Sequence, residues 1–186
     1  MGMLEKVKLD RVICDEIFYL SEKNRDTVFR APEGTSIGSD PQISGHATAA
    51  VLGCRMKQVG KHVGTDVEFM IQEELTVTPR GHCAKGEPFD LEYAFRFIKE
   101  VTFQKCCLPP GVTINNIRCH VFRLNVDTEI RDIRISPGGL EGVFHNLVKI
   151  QLKLKLVEEV QTFVTLGKQP NVTTKVIITP NDKKKR

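Results

Sequence analysis

Between Val148 and Leu156 the chain reads V-K-I-Q-L-K-L-K-L, with an aliphatic residue at every even position and a long polar one at every odd position between. A side-chain period of two places these sets on opposite faces of a β-strand. One face is fit to seal a core, and the other, carrying Lys149, Gln151, Lys153 and Lys155, is wet and basic. Two earlier stretches alternate in the same way. Val67, Phe69, Ile71, Leu75 and Val77 share one parity, interrupted by Glu73, and Pro79 and Gly81 close that strand. Phe89, Leu91, Tyr93, Phe95, Phe97, Val101 and Phe103 share one parity of the next. The run from Cys106 to Gly111, C-C-L-P-P-G, ends it, because consecutive prolines cannot donate to a ladder.

From Val112 to Asp127 the pattern is again extended, but the apolar parity moves from Ile117, Cys119 and Val121 to Phe122, Leu124 and Val126. A parity change inside one strand predicts a β-bulge. Ile130, Ile133 and Ile135 follow, then the turn S-P-G-G-L-E-G. Beyond Leu156, Val160, Thr162, Val164 and Leu166 continue the strand, G-K-Q-P-N turns the chain, and Val172 to Ile178 forms a last strand. Ala47 to Val59 reads as a weaker strand of small residues.

The N-terminal stretch differs. Val7 to Tyr19 has apolar groups on both parities with charges interrupting each, which suits an extended arm or an edge strand better than a helix, although Ile13, Ile17 and Leu20 also share a helical face. Glu22 to Gly45 is dominated by polar residues, glycine and proline, and reads as a long connection. After residue 21 no stretch has a helical pattern of ordinary length. Strands separated by Gly/Pro turns give the expected fold class: all-β, an antiparallel β-sandwich of jelly-roll type with an extended N-terminal arm. The expected organisation is an arm and connector over 1–45, a β-sandwich body over 46–180 and a basic tail over 181–186. The body is one unit or two small β subdomains dividing near 80–88.

Composition adds bounds. The chain has 186 residues, of which 40% are hydrophobic, enough for one good core or two small ones. The net charge of +4 is mild, and much of the excess lies in the run Lys183 to Arg186, a solvated tail. The first residues hold no apolar stretch of the kind a secretory signal needs, and no apolar run reaches the eighteen or so residues that cross a bilayer. The expectation is synthesis in a cytoplasm without a signal peptide and no membrane span.

Candidate chemistry is sparse. His82-Cys83 and Cys119-His120 invite a zinc reading, but adjacent strand residues point to opposite faces and cannot converge on one tetrahedral ion. No serine sits in a G-x-S-x-G elbow, and the pairs Glu73-Glu74 and Glu158-Glu159 diverge on their strands. G-T-S-I-G-S lacks the Lys of a phosphate-binding loop. Lys149, Lys153 and Lys155 form a basic face, yet the chain has no Trp, and its phenylalanines lie on core parity, so stacking platforms for nucleic acid are lacking. The expectation is therefore no enzyme, no metal, no cofactor and no nucleic-acid partner.

The six cysteines remain. Cys14 lies on the expected arm, Cys83 in a polar loop, and Cys106 and Cys107 at a strand end, which makes these four the candidates for inter-subunit disulfides. Cys54 and Cys119 read as buried small hydrophobes.

Three segments, E-V-T-F-Q-K-C-C-L-P-P-G-V, I-R-C-H-V-F-R-L and V-K-I-Q-L-K-L-K-L-V-E-E-V-Q, give the half from Phe89 onward a resemblance to the SPOCS-type domain of spore-coat and spore-morphogenesis proteins of Gram-positive spore formers. The likeness lies in strand-and-turn patterns and covers under half the chain. The Cys-Cys step and the long N-terminal arm depart from it. It implies a non-enzymatic layer or appendage subunit made in a mother cell, cross-linked later at the spore or cell surface. The expected function is a self-assembling structural protein: a homopolymer forming a spore coat layer, surface layer or extracellular fibre or filament, together with other coat or surface proteins. The alternative is a soluble β-sandwich binding module that presents loops 79–88 and 104–112 to a carbohydrate or protein ligand.

Overall fold

A computed structural model describes residues 3–166 and 177–178. The chain forms two antiparallel sheets packed face to face. The first has the strand order β1-β6-β5, where β1 is Met3–Arg30, β5 is Ile117–Ile135 and β6 is Glu141–Leu166. The two residues of β7, Ile177–Ile178, pair with β6 at Thr162 and Phe163. The second sheet is a meander of β2 (Gln42–Val59), β3 (His62–Thr78) and β4 (Phe89–Phe103). A 3-10 turn, Ile114–Asn116, leads into β5. The all-β sandwich expected from the alternation is the observed architecture.

The stretch Val148 to Leu156 is the middle of β6, the central strand of the first sheet. Val148, Ile150, Leu152, Leu154 and Leu156 are all buried, and they meet Val63, Val67, Phe69 and Ile71 of β3 and Val101 and Phe103 of β4 in one cluster. That cluster draws on residues before and after the 80–88 stretch, so the body closes round it on both sides. A smaller cluster of Phe29, Ile37, Leu75, Val77 and Phe144 extends the core toward one end. The lysines of β6 face outward, and each has its own partner. Lys149 pairs with Glu129 at 2.7 Å, Lys153 with Asp15 at 2.9 Å, and the Lys155 ammonium lies 3.8 Å from the centre of the Phe122 ring.

The parity change in β5 is a bulge. Val121 pairs with Leu154 and Arg123 with Lys153, which leaves Phe122 as the extra residue, exposed beneath Lys155. Similar register shifts fall at Val12/Cys14 and Asn24/Thr27 in β1, Val51/Gly53 in β2 and Arg131/Arg134 in β5. Strands of 19 to 28 residues need such interruptions to stay in register with one another while they twist.

The N-terminal region departs from expectation at Glu22 to Arg30. This polar stretch is the continuation of β1, paired with β6 from Val148 back to Glu141. Phe29 supplies the reason: it is buried, and its ring lies 5.7 Å from that of Phe144. The backbone can reach that position because Gly142, opposite Phe29, has no side chain; a Cβ there would collide with the Phe29 ring. Only residues 31–41 remain as connector. They are pinned by Ile37, which is fully buried, donates its N–H to the Gly139 carbonyl at 2.8 Å and accepts from the Arg80 N–H at 3.1 Å. The expected turn G-K-Q-P-N, most of the expected last strand Val172 to Ile178, and the tail 181–186 lie outside the described residues.

The two faces of β6 predict opposite responses. Leu152→Ala opens a cavity in the larger cluster and is expected to cost about 3 kcal/mol. Lys153→Ala, removing an outward ion pair, is expected to cost less than about 1 kcal/mol. Urea unfolding of both variants checks the contrast.

Candidate functional site

Four places gather functional side chains: the edge strand β1 with its outer face, a polar cluster between the sheets, a histidine between two aspartates, and the thiols.

Strand β1 is an edge of the first sheet, and it is long because β6 templates it residue by residue. Along it Leu9, Val12, Ile17, Tyr19 and Val28 stand exposed, Tyr19 at 77%. From Met3 to Val12 it pairs with the stretch of β6 that runs from Val157 to Leu166. Among the described residues, none of this ribbon belongs to either buried cluster. Its polar groups pair within it: Lys8 with Glu159 at 2.8 Å, and Arg11 with Glu158. Nearer the core, β1 crosses to the second sheet through Glu16, which accepts from the Gln104 N–H at 3.0 Å, and through Glu22, which meets Lys99 at 2.5 Å.

On the outer face of the first sheet, three polar side chains from three strands form a row. Asn125 donates to Gln151 at 3.0 Å and Gln151 donates to the Tyr19 hydroxyl at 3.2 Å. They line an open groove of about 520 Å³ together with Ser21, Asp127 and Lys149. Beside it Lys153, hydrogen-bonded to Asp15, holds that carboxyl below the usual carboxylate range.

Between the sheets Glu73 is only 1% exposed. It projects from β3 on the apolar parity and accepts from the Thr128 hydroxyl at 2.7 Å and from the Asn146 amide. Asn146 is equally buried, and its Oδ1 has no partner among the described residues. Tyr93 lies close by. Burial raises its hydroxyl above the ordinary tyrosine range, and the Glu73 charge adds to the effect. The cluster ties β3 to β5 and β6 by directional bonds where apolar packing alone would tolerate sliding.

His145 on β6 forms a further group. Its Nε2 lies 2.7 Å from Asp26 and its Nδ1 3.3 Å from Asp132. Both aspartates sit at bulges in the flanking strands, with φ of +46° and +52°. Because the carboxylates take opposite ring nitrogens, they cannot share an ion with the imidazole. Among the described residues no group of three or more His, Cys, Asp or Glu is placed to hold a metal ion.

The structure rearranges the thiols. Cys14 and Cys106, two of the four expected inter-subunit links, lie near one another within one chain, where Glu16 accepts from the Gln104 N–H and both cysteines pack on the larger cluster. Cys54 of β2 and Cys119 of β5 pack on the same cluster where those two strands meet. Cys83, with φ of +61°, and Cys107 are exposed. These two lie at opposite ends of β4, since Cys83 precedes Phe89 and Cys107 follows Phe103. At about 3.3 Å per residue the fifteen residues of β4 separate them by roughly 50 Å. Loops 79–88 and 104–112 are parted in the same way and do not converge on one ligand site.

Compared with known proteins, the chain matches no family model, no curated protein and no solved structure.

Sequence reasoning singled out Glu73 as a break in an apolar parity but read it only as half of a diverging carboxylate pair. The signal for its partners was there, since Asn146 interrupts the aliphatic series from Phe144 to Leu156. Nothing in the sequence linked Cys54 to Cys119 or Asp26 to His145, because each pair is brought together only by strand packing.

Glu73→Ala strands the Thr128 hydroxyl and the Asn146 amide without an acceptor, and the expected cost is about 2–4 kcal/mol. Glu73→Gln, which keeps one acceptor, is expected to lose less; chemical denaturation of the two variants reads the difference. A lowered folded-state pKa at Asp15 stabilises above the unfolded value and is lost as pH falls through the folded one. Lys153→Met is therefore expected to move the Asp15 carboxyl titration back up to the ordinary range, followed by NMR.

Proposed function

We propose that this chain is a self-assembling structural subunit whose copies add to one another at the β1 edge to build a layer or fibre. The observation that supports this most is the ribbon of β1 and β6 that runs past both buried clusters with Leu9 and Val12 exposed on its edge strand. A narrow ribbon outside the core is marginal by itself in water, and a long apolar edge is a template for another strand. A second copy supplies both the missing strand and the cover for the apolar groups. Cys83 and Cys107, exposed at opposite ends of β4, suit covalent links between successive copies. A contact between two different surfaces propagates without closing unless its rotation closes a ring, which is how fibres grow. The resemblance to SPOCS-type domains supports a coat or surface layer of a spore former, made in the mother cell and linked once the surroundings turn oxidising.

A second reading has its own support. The groove of about 520 Å³ beside Tyr19 combines an exposed aromatic ring with the amides of Asn125 and Gln151, chemistry suited to stacking on and hydrogen-bonding a sugar. As a binding module the chain would take a saturable glycan and stay monomeric.

Light scattering after size exclusion, from micromolar to near-millimolar protein under reducing and non-reducing conditions, separates the two. Concentration-dependent growth is expected, with the paired change Leu9→Lys and Val12→Lys weakening association at least tenfold. Cys83→Ser is expected to erase the covalent ladder on non-reducing gels. A monomer throughout, with saturable binding from a glycan panel lost in Tyr19→Ala, would overturn assembly.

A further inference from the structure

Four of the six cysteines sit as two pairs, and each pair spans the gap between the sheets at one open side of the sandwich. On one side Cys14 belongs to β1, and Cys106 follows β4. Their closeness is fixed by more than the thiols. Glu16, two residues along β1 and on the same face as Cys14, accepts from the Gln104 N–H at 3.0 Å, which holds the segment leading to Cys106 against β1. The Phe18 and Phe103 rings meet edge-on at 5.1 Å just beyond. On the other side Cys54 belongs to β2 and Cys119 to β5, and these two strands lie against each other with the 3-10 turn before β5 also touching β2. All four sulfurs pack on the same buried cluster.

We infer that Cys14 with Cys106 and Cys54 with Cys119 form two disulfides within one chain, stapling the sheets together at both sides when the protein meets a disulfide oxidant. The oxidant is a small-molecule disulfide or a dithiol-disulfide oxidoreductase. For each pair a thiolate attacks the oxidant's disulfide, releases one thiol and leaves a mixed disulfide. The second cysteine, losing its proton, displaces the other thiol and closes the intrachain bond. Two protein thiols are oxidised, one external disulfide is reduced to two thiols, and the electrons balance.

The thiols differ in acidity. The neighbouring Cys119 draws the Cys54 thiol below its ordinary range, while Cys54 and burial hold Cys119 above it. Cys14 and Cys106 are both raised, chiefly by burial, so both pairs need an oxidant rather than a free thiolate poised at neutral pH. The loops closed are about 90 and about 65 residues long, the range in which a cross-link restricts the unfolded chain strongly. This leaves Cys83 and Cys107 for links between chains. The intrachain pairs form whether or not the copies assemble, because each needs only one molecule.

The test is oxidation of the dilute, reduced full-length chain with oxidised glutathione, quenching with N-ethylmaleimide at intervals, and intact-mass and peptide mapping. The expected product is a monomer 4 Da lighter than the reduced chain apart from any glutathione or N-ethylmaleimide it carries, with both adducts confined to Cys83 and Cys107. Both Cys54–Cys119 and Cys14–Cys106 peptides are expected, and the unfolding midpoint is expected to rise on oxidation and fall back with reductant. Cys106→Ser is expected to abolish one link and spare the other, and Cys54→Ser the converse. Six alkylated cysteines after prolonged oxidation, or Cys14 recovered only in peptides joined between two chains, would overturn the inference. Neither result depends on whether the protein polymerises at high concentration.

Discussion

Strand β6 is paired on both flanks and buries one whole face, and the rest of the molecule follows from satisfying it. Each of its five aliphatic side chains from Val148 to Leu156 removes apolar surface from water, worth about 1.5–3 kcal/mol apiece before chain entropy is counted. That face requires a second sheet, which β2, β3 and β4 provide. Its backbone requires two partners, which explains why β1 and β5 are drawn out into strands of 28 and 19 residues. The bulges are where these partners absorb the mismatch between their own sequences and a template they cannot alter.

Apolar packing gives that arrangement its strength but little of its register. Glu73, Thr128 and Asn146 place a directional polar bond between the sheets, where a slip of one residue would leave a buried carboxylate without partners. His145, bracketed by Asp26 and Asp132, ties β1, β6 and β5 within the first sheet in the same directional way. The paired thiols sit at the two sides where the sheets are held by neither ladder nor hairpin. Polar contacts set the register, and sulfur stands where a covalent tie adds most.

The same geometry supports a building block. The lysines of the outer face are met by Asp15, Glu129 and Phe122, so that face presents a mixed rather than a basic surface. What remains unmatched is the edge of β1 and the ribbon beyond the core. Strand edges are managed in most proteins by charge, brevity or cover. Here Lys6, Lys8 and Asp10 interrupt the edge without making it short, which suits a contact that is selective rather than blocked.

Alternation determined most strands of this protein, their inward and outward faces and the bulge at Phe122, and the prolines of Cys106 to Gly111 marked the end of β4, because a period of two and a missing N–H are local properties of the chain. It could not reveal that Glu22 to Arg30 is strand, since those polar residues are extended only by pairing with β6 and by the burial of Phe29. Nor could it decide that Val148 to Leu156 is central and β1 an edge, because strand order depends on which distant segments pair. The cysteines show the same division. Their number and the exposure of Cys83 and Cys107 were legible from loops and turns. The meeting of Cys14 with Cys106 and of Cys54 with Cys119 was decided only when two sheets closed on one core.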